Sequence, residues 1–266
     1  MVPQRLRSNL RKSSAVNFLL RQYYGGDKSA PHPQAPGKRI WFDGYRNLGW
    51  NFGSLAESEV EQFAFATTYL NKLNPRCVWD IGANVGWWSL FFASFQPPIE
   101  LIICFEPDAA NRRFLEMNRD KNNITSMVIR DVGLSDKAGN AVFFADTLTG
   151  ATGSFESDQN FIGKYYGATP QQVSIPVSTV DAEIASGIQP PQFMKIDVEG
   201  HELAVLHGAE NLLRVHRPVM IMEVTRRENE ITRFLQDHRY RLVDPSNLQP
   251  IPTARYATGA IPEELF

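Results

Sequence analysis

Apolar residues along this chain fall into two rhythms. Cys77–Ile81, Leu101–Phe105, Met127–Ile129, Phe193–Val198 and Pro218–Val224 are short, nearly unbroken hydrophobic runs, as expected of strands buried on both faces. Between them lie stretches with helical spacing: residues 85–95, stopped by Pro97 and Pro98; the segment after Pro107 to about Asn122; Gly200–Val215; and Glu228–His238, which leads into a short strand at Tyr240–Val243. Strand followed by helix, repeated, predicts an α/β fold with a mostly parallel, doubly wound sheet and right-handed crossovers. Ligands of such sheets sit beyond the carboxyl ends of the strands, where strand order reverses.

Three stretches depart from this rhythm. Residues 8–23 predict a short helix with Leu10, Val16, Leu19 and Leu20 on one side, and residues 25–38 (GGDKSAPHPQAPGK) read as a linker or irregular loop. Residues 55–73 predict a helix with Ser54 as a possible cap and Val60, Phe63, Phe65, Ala66, Tyr69, Leu70 and Leu73 at near-helical spacing. The segment 141–180 interrupts the alternation and predicts extra strands plus a loop over the ligand edge of the sheet. The expected division is a basic extension with its Gly/Pro-rich linker over residues 1–54, then one domain over 55–266.

Composition adds one asymmetry. Net charge is −2 over 266 residues, yet residues 1–40 carry eight basic side chains against the single acid Asp27, leaving −9 for the remainder. Such an arm suits an anionic partner, or it packs back on its own acidic body. The balanced net charge otherwise predicts no membrane partner and no nucleic acid, and no apolar stretch approaches spanning length. Cys77 and Cys104 sit in apolar runs with no metal or redox spacing, so a reducing, cytoplasmic setting is expected.

The chemistry begins at VWDIGANVGWWS, residues 78–89. Glycines at 82 and 86 allow a tight turn and close approach of backbone to a ligand, and free N–H groups at the helix start suit an anionic group. Asp80 at the strand end would accept from a ligand ammonium or a water, and Glu106 ends the next strand, where dinucleotide-type folds hold ribose hydroxyls. A ribose with a zwitterionic tail describes S-adenosylmethionine (SAM). NAD is the competitor, but its G-x-G-x-x-G spacing is absent, and a pyrophosphate beside Asp80 would be repelled. The alternatives to a SAM enzyme are an NAD-dependent oxidoreductase and a non-catalytic SAM-binding module. Trp87 and Trp88 open the helix after the turn, and one of them is expected to wall the pocket.

VWDIGANVGWWS, CFEPDAANRRFLEMN, RDVGLSDKAG, FMKIDVEGHELAVLHGAENLL and RPVMIMEV, in this order across about residues 77–225, together resemble the FkbM-type SAM-dependent methyltransferases. The resemblance implies a class I (Rossmann-like) methyltransferase fold and O-methylation of a hydroxyl, on a sugar or a secondary metabolite. It further implies that Asp80, Gly82, Asn84 and Gly86 form the methionine side of the cofactor pocket and that Glu106 holds the ribose. Asp131 and Val132 would lie near the adenine, and Ser154 on a loop over the site.

In KIDVEGHE, Lys195 and Asp197 are charges in a strand that should be buried, where charges are paired or functional. Glu199 and Glu202 suit the N-terminus of the following helix. A hydroxyl acceptor needs alignment and a base. The candidates are Asp197 and Glu199 with His201 in support, and Glu223 at the next strand end, which would orient substrate or Lys195. Asp197, Glu199, His201 and Glu223 also offer ligands to a divalent ion, but no metal-ligand spacing is present and none is expected to be bound.

Overall fold

The computed structural model describes residues 13–48, 50, 59–156 and 168–266. Its centre is a seven-stranded sheet built from β3 (Cys77–Ile81), β4 (Leu101–Phe105), β5 (Met127–Arg130), β9 (Phe193–Ile196), β10 (Val219–Glu223), β11 (Tyr240–Val243) and β12 (Ala257–Pro262), in the order β11-β12-β10-β9-β3-β4-β5. The five strands β5, β4, β3, β9 and β10 run parallel, and β12 lies antiparallel between β10 and β11. From β3 the chain winds outward through β4 and β5 on one side and through β9 and β10 on the other, so strand order reverses between β3 and β9. The unbroken apolar runs are explained by cover on both faces: every residue of β3 is buried.

One face of the sheet, including Val78, Ile102 and Phe193, packs on α2 (Val60–Leu73), α3 (Trp87–Ser94) and α4 (Ala109–Lys121). The other, including Trp79, Ile103 and Met194, packs on α5 (Val180–Ala185), α6 (Glu202–His207), α7 (Glu210–Val215) and α8 (Glu228–Asp237). Both tryptophans after the turn belong to the first layer: Trp87 stacks on His32 with ring centroids 3.9 Å apart and Trp88 on Phe63 at 4.2 Å. Neither walls the cleft described below, because the helix they open lies against the sheet rather than over its edge. Burial lowers the His32 pKa to about 4, so this ring packs as a neutral group whose Nε2 meets the Trp87 carbonyl.

Elsewhere the structure departs from the hydrophobic pattern. The Gly/Pro-rich stretch is a hairpin rather than a linker: β1 (Asp27–Pro31) pairs antiparallel with β2 (Arg39–Asp43). Asn118 of α4 and Asn122, which caps that helix, hold the hairpin's free edge as a strand would. Asn118 accepts from Trp41 N and donates to Trp41 O, and Asn122 does the same for Arg39. The first helix, α1, spans Ser14–Tyr24, capped by Ser13; residues 8–12 of its expected extent lie outside the described residues, as do Ser54 and the start of the helix expected from residue 55. The strand expected to reach Val198 ends at Ile196. The helix expected over Gly200–Val215 is two, α6 and α7, broken at Gly208, where a Cβ would stand 2.1 Å from the Ser135 carbonyl oxygen. Hydrophobic spacing runs through that break and hides it. The extra strands expected in 141–180 are present: β6 (Gly133–Leu134), β7 (Gly139–Ala145) and β8 (Gln171–Ser178) form a small sheet in the order β6-β8-β7.

β12 was invisible to the pattern, since ATGAIP has weak strand propensity and ends in proline. Tertiary packing selects it. Gly259 is pressed against the fully buried Phe65 of α2, whose ring would lie 2.4 Å from an added Cβ. No helix among the described residues is long and apolar enough to cross a membrane.

Gly259→Ala should therefore force the Phe65 ring aside and destabilise the protein by about 1–3 kcal/mol. A urea-unfolding midpoint equal to that of the unaltered chain would contradict this account of β12.

Candidate active site

A cleft enclosing about 560 Å³, part of it open to solvent, opens at the carboxyl ends of β3, β4 and β9, beside the reversal in strand order. Its floor is Gly82 and Asn84 from the turn after β3. Glu106 and Asn111 stand at one wall, Val132 and Phe155 at another, and Asp197 and Glu199 at the tip of β9.

The turn is held by its own chain. Gly82 (φ +75) and Gly86 (φ +97) adopt left-handed conformations, and a Cβ on Gly82 would meet the Asp197 carbonyl oxygen at 1.8 Å. The N–H groups of Gly82 and Ala83 both donate to the Phe105 carbonyl, that of Asn84 to Glu106 Oε2 at 2.7 Å, that of Val85 to Asn84 Oδ1, and that of Gly86 to the Ala83 carbonyl. The amides of the turn itself are thus spent within the protein: a chain reversing through left-handed residues uses them to close on itself. Gly86 begins α3 and backs against Leu115 instead of lining the cleft.

Glu106 faces the cleft as expected. Its Oε1 accepts from Asp108 N at 2.8 Å and its Oε2 from Asn84 N, which locks the carboxyl in orientation while leaving each oxygen a second lone pair. Burial, reinforced by the Asp108 charge, pushes its pKa up to about 7. Asp80 corrects another expectation. It is fully buried and does not line this cleft, because alternation along β3 turns Ile81 toward the cleft and Asp80 toward α3. There its Oδ2 accepts from Ser89 Oγ at 2.5 Å, while Oδ1 has no hydrogen-bond partner and lies 3.9 Å from Lys195 Nζ.

Lys195 is the hub. It sits beside Asp80 in the β3–β9 register, and its Nζ donates to the Gly82 carbonyl and to Asp197 Oδ2, each at 3.0 Å. Burial alone would lower its pKa, but Asp197, Asp80, Glu59 and Glu223 outweigh burial and hold it above the ordinary lysine value. The acids feel the reverse. Burial, with Asp197 adding to it, pushes Glu59 up to about 7, and burial with Asp197 and Glu59 pushes Glu223 up to about 8. Glu199 is driven well above the carboxylate range by burial and by Asp197, Glu223 and Glu202. One ammonium among so many carboxyls cannot keep them all ionised, so a cationic ligand here would relieve their mutual repulsion. Among the described residues no group of three or more His, Cys, Asp and Glu is arranged to hold a metal ion.

The remaining expected residues divide. Val132 lines the cleft, whereas Asp131 next to it is exposed and outside it. Ser154 is buried and reaches the site through the backbone: its Oγ donates to the Glu199 carbonyl at 2.7 Å. His201 is likewise a strap, with Nε2 2.9 Å from Ser135 Oγ, Nδ1 2.9 Å from Glu156 Oε1, and its ring on Phe155. Both ring nitrogens are engaged by the protein, so the supporting role beside the carboxylates has no geometric basis. Glu202 also turns from the cleft; its Oε1 accepts from Gly200 N at the start of α6.

Four contributors escaped the sequence pattern. Glu59, which accepts from Trp88 Nε1, and Tyr256, which hydrogen-bonds Glu223, lie in segments with no motif. Asn111 and Asn84 both donate to the Gly150 carbonyl, at 2.8 and 3.0 Å, and pin the loop after β7 over the turn. Asp146 shapes that loop by accepting from the Leu148 and Thr149 amides and the Thr152 hydroxyl. An Asx-type turn signal at Asp146 was present in DTLTG; nothing local marked the other three.

A family model described as the methyltransferase FkbM domain matches residues 80–242, more than half of the chain. The hexuronic acid methyltransferase AglP of Haloferax volcanii is 29% identical over 138 residues, which are 52% of this chain and 51% of that protein. The chain thus spans about half the length of the curated relative it matches. Among solved structures, methyltransferase FkbM from Methylobacillus flagellatus is similar at a TM-score of 0.49 and 16% identity, covering 81% of this chain and 53% of that one. A ribosomal protein L11 methylase from Lactobacillus delbrueckii subsp. bulgaricus is similar at 0.42 and 10%, covering 74% of each. The sheet described above, five parallel strands with an antiparallel β12 set between β10 and β11, is the α/β class I methyltransferase architecture. Its strand tips, glycine turn and acidic hub all fall within or beside the matched stretch, and the chain belongs to the FkbM methyltransferase family.

Proposed function

We propose that the chain is a SAM-dependent O-methyltransferase acting on a hydroxyl of a sugar or another small metabolite. The observation that carries this reading is the cleft itself, in which a left-handed glycine turn and an orientation-locked glutamate at the next strand tip border one wall of a carboxyl-rich site. The residues fit this cofactor. Gly82 has no room for a side chain, Glu106 has lone pairs to spare for ribose hydroxyls, Val132 offers an apolar wall to an adenine, and the acid excess suits a ligand of net positive charge. When bound, SAM supplies an already activated methyl group on sulfonium. The sugar acid in the name of the Haloferax relative supports a sugar-type acceptor.

The chain's own residues then have three tasks. Lys195 bridges the Gly82 carbonyl and Asp197, so the turn and the β9 tip cannot drift apart. Asp197 and Glu199 face the cleft, and Glu199, once a cationic ligand has released the proton that burial and its acidic neighbours favour, is the group that takes the proton from an acceptor hydroxyl. Glu223 and Tyr256 border the same charge cluster and orient the acceptor. His201 and Ser154 hold the loop at 150–156 against the β9 tip and keep water from the cleft.

Glu106→Ala should weaken SAM binding at least about tenfold, about 1.4 kcal/mol, by isothermal titration, with unchanged far-ultraviolet circular dichroism. Glu199→Gln should lower kcat by about 10²–10³ while leaving the SAM dissociation constant within about twofold. Equal loss of binding in both variants would reverse these assignments, and titration with NAD in place of SAM tests the oxidoreductase alternative directly.

The raised carboxyl groups also set a pH dependence. Their folded pKa values, about 7 for Glu59 and Glu106 and about 8 for Glu223, lie above the ordinary value of 4.5, so the folded state holds protons that the unfolded chain has lost. Stability of the ligand-free protein should be full below pH 4.5 as far as these groups are concerned, and should fall as pH rises to about 8. Affinity for SAM should move the other way, rising between pH 6 and 8 as the acids ionise. Thermal unfolding and titration across this range, run on one preparation, check both signs.

A further inference from the structure

Helix α1 presents an apolar face that nothing among the described residues covers. Phe18, Leu19 and Tyr23 are 63%, 65% and 78% exposed, and they are three of the nine exposed large hydrophobic residues among those described. They recur at helical spacing with Ala15, and Gln22 is the only polar residue between them on that side. The opposite side, through Val16 and Leu20, faces the protein, where Leu20 packs on Tyr45 and Leu148. Leu148 belongs to the loop that carries Gly150 into the cleft, so the helix is anchored beside the candidate active site.

Charge selects what this face meets. Arg21 flanks the apolar stripe, and the twelve residues preceding the helix cap contain Arg5, Arg7, Arg11 and Lys12 with no acid. From residue 1 to residue 24 there are therefore five cations and no anion. A second copy of the same face would bring like charges together. A nucleic acid would match the cations but leave Phe18 and Leu19 in water. An anionic bilayer satisfies both, with phospholipid headgroups for the cations and the acyl boundary for the rings and the leucine. We propose that α1 and its basic flank dock the protein on anionic membrane surfaces, as an interfacial contact and not a span. The inference is independent of the methyl acceptor and departs from the expectation of no membrane partner, which net charge and the lack of a spanning stretch had suggested.

The test is flotation of the full chain with vesicles of equal parts phosphatidylcholine and phosphatidylglycerol, and with vesicles of phosphatidylcholine alone. The unaltered chain should float with the anionic vesicles and stay behind with the neutral ones, and raised salt should release it. Phe18→Ser/Leu19→Ser/Tyr23→Ser should reduce the bound fraction about tenfold, and Arg11→Gln/Lys12→Gln should reduce it several-fold. Phe18, Leu19 and Tyr23 are exposed, so circular dichroism and SAM titration of the serine variant should match the unaltered chain. Absence of binding to anionic vesicles overturns the proposal, as does equal binding by the serine variant. It also fails if light scattering shows a dimer that the serine variant dissolves, or if a single-stranded RNA competes the protein off vesicles at equal phosphate concentration.

Discussion

The site depends on one buried ammonium. Lys195 lies in β9, at the centre of the seven-stranded sheet, and would be costly there without partners. It has them because β3 and β9 run side by side in a register that sets it beside Asp80, and because the turn after β3 offers it the Gly82 carbonyl. Asp197 completes the set. A single cation thus ties together the glycine turn, the tip of β9 and the start of α3, since Asp80 passes the connection on to Ser89. Removing the charge would leave Asp80 and Asp197 facing each other without compensation, in surroundings that already drive Glu59, Glu199 and Glu223 toward their protonated forms.

A cluster of this kind is poorly matched to itself, with more carboxyl groups than one ammonium can keep ionised. Carboxyl groups that hold protons near neutral pH can release them when positive charge arrives and, once ionised, can accept one from a hydroxyl. The loop over the cleft is fixed by different means. The Gly150 carbonyl is caught by Asn84 and Asn111, Ser154 reaches the Glu199 carbonyl, and His201 joins Ser135 to Glu156. Hydrogen bonds, one of them to the Glu156 carboxyl, position the loop, while the charge cluster gathers around Lys195. The His201 imidazole, the most obvious base to look for in this pH range, belongs to the first group.

The N-terminal segment illustrates how weak local signals gain meaning from packing. Gly and Pro density suggested a linker, yet the chain forms a hairpin because Asn118 and Asn122 stand where a neighbouring strand would and satisfy its backbone. The helix before it packs by one side only, and this leaves the apolar stripe outward.

From the sequence by itself followed the alternation of strand and helix, the parallel sheet, the glycine turn, Glu106 at the second strand tip and the concentration of charge at KIDVEGHE, because each depends on periodicity or on residues adjacent in the chain. The tertiary structure alone decided which way those residues face and what they meet. Asp80, inside β3, went under the turn toward Ser89 of α3, while Glu106, one residue past the end of β4, entered the cleft. β12 and the break at Gly208 are enforced by Phe65 and by the Ser135 backbone, far away along the chain. Glu59, Asn111 and Tyr256 joined the site through contacts with residues remote in sequence, and no local pattern encodes such contacts.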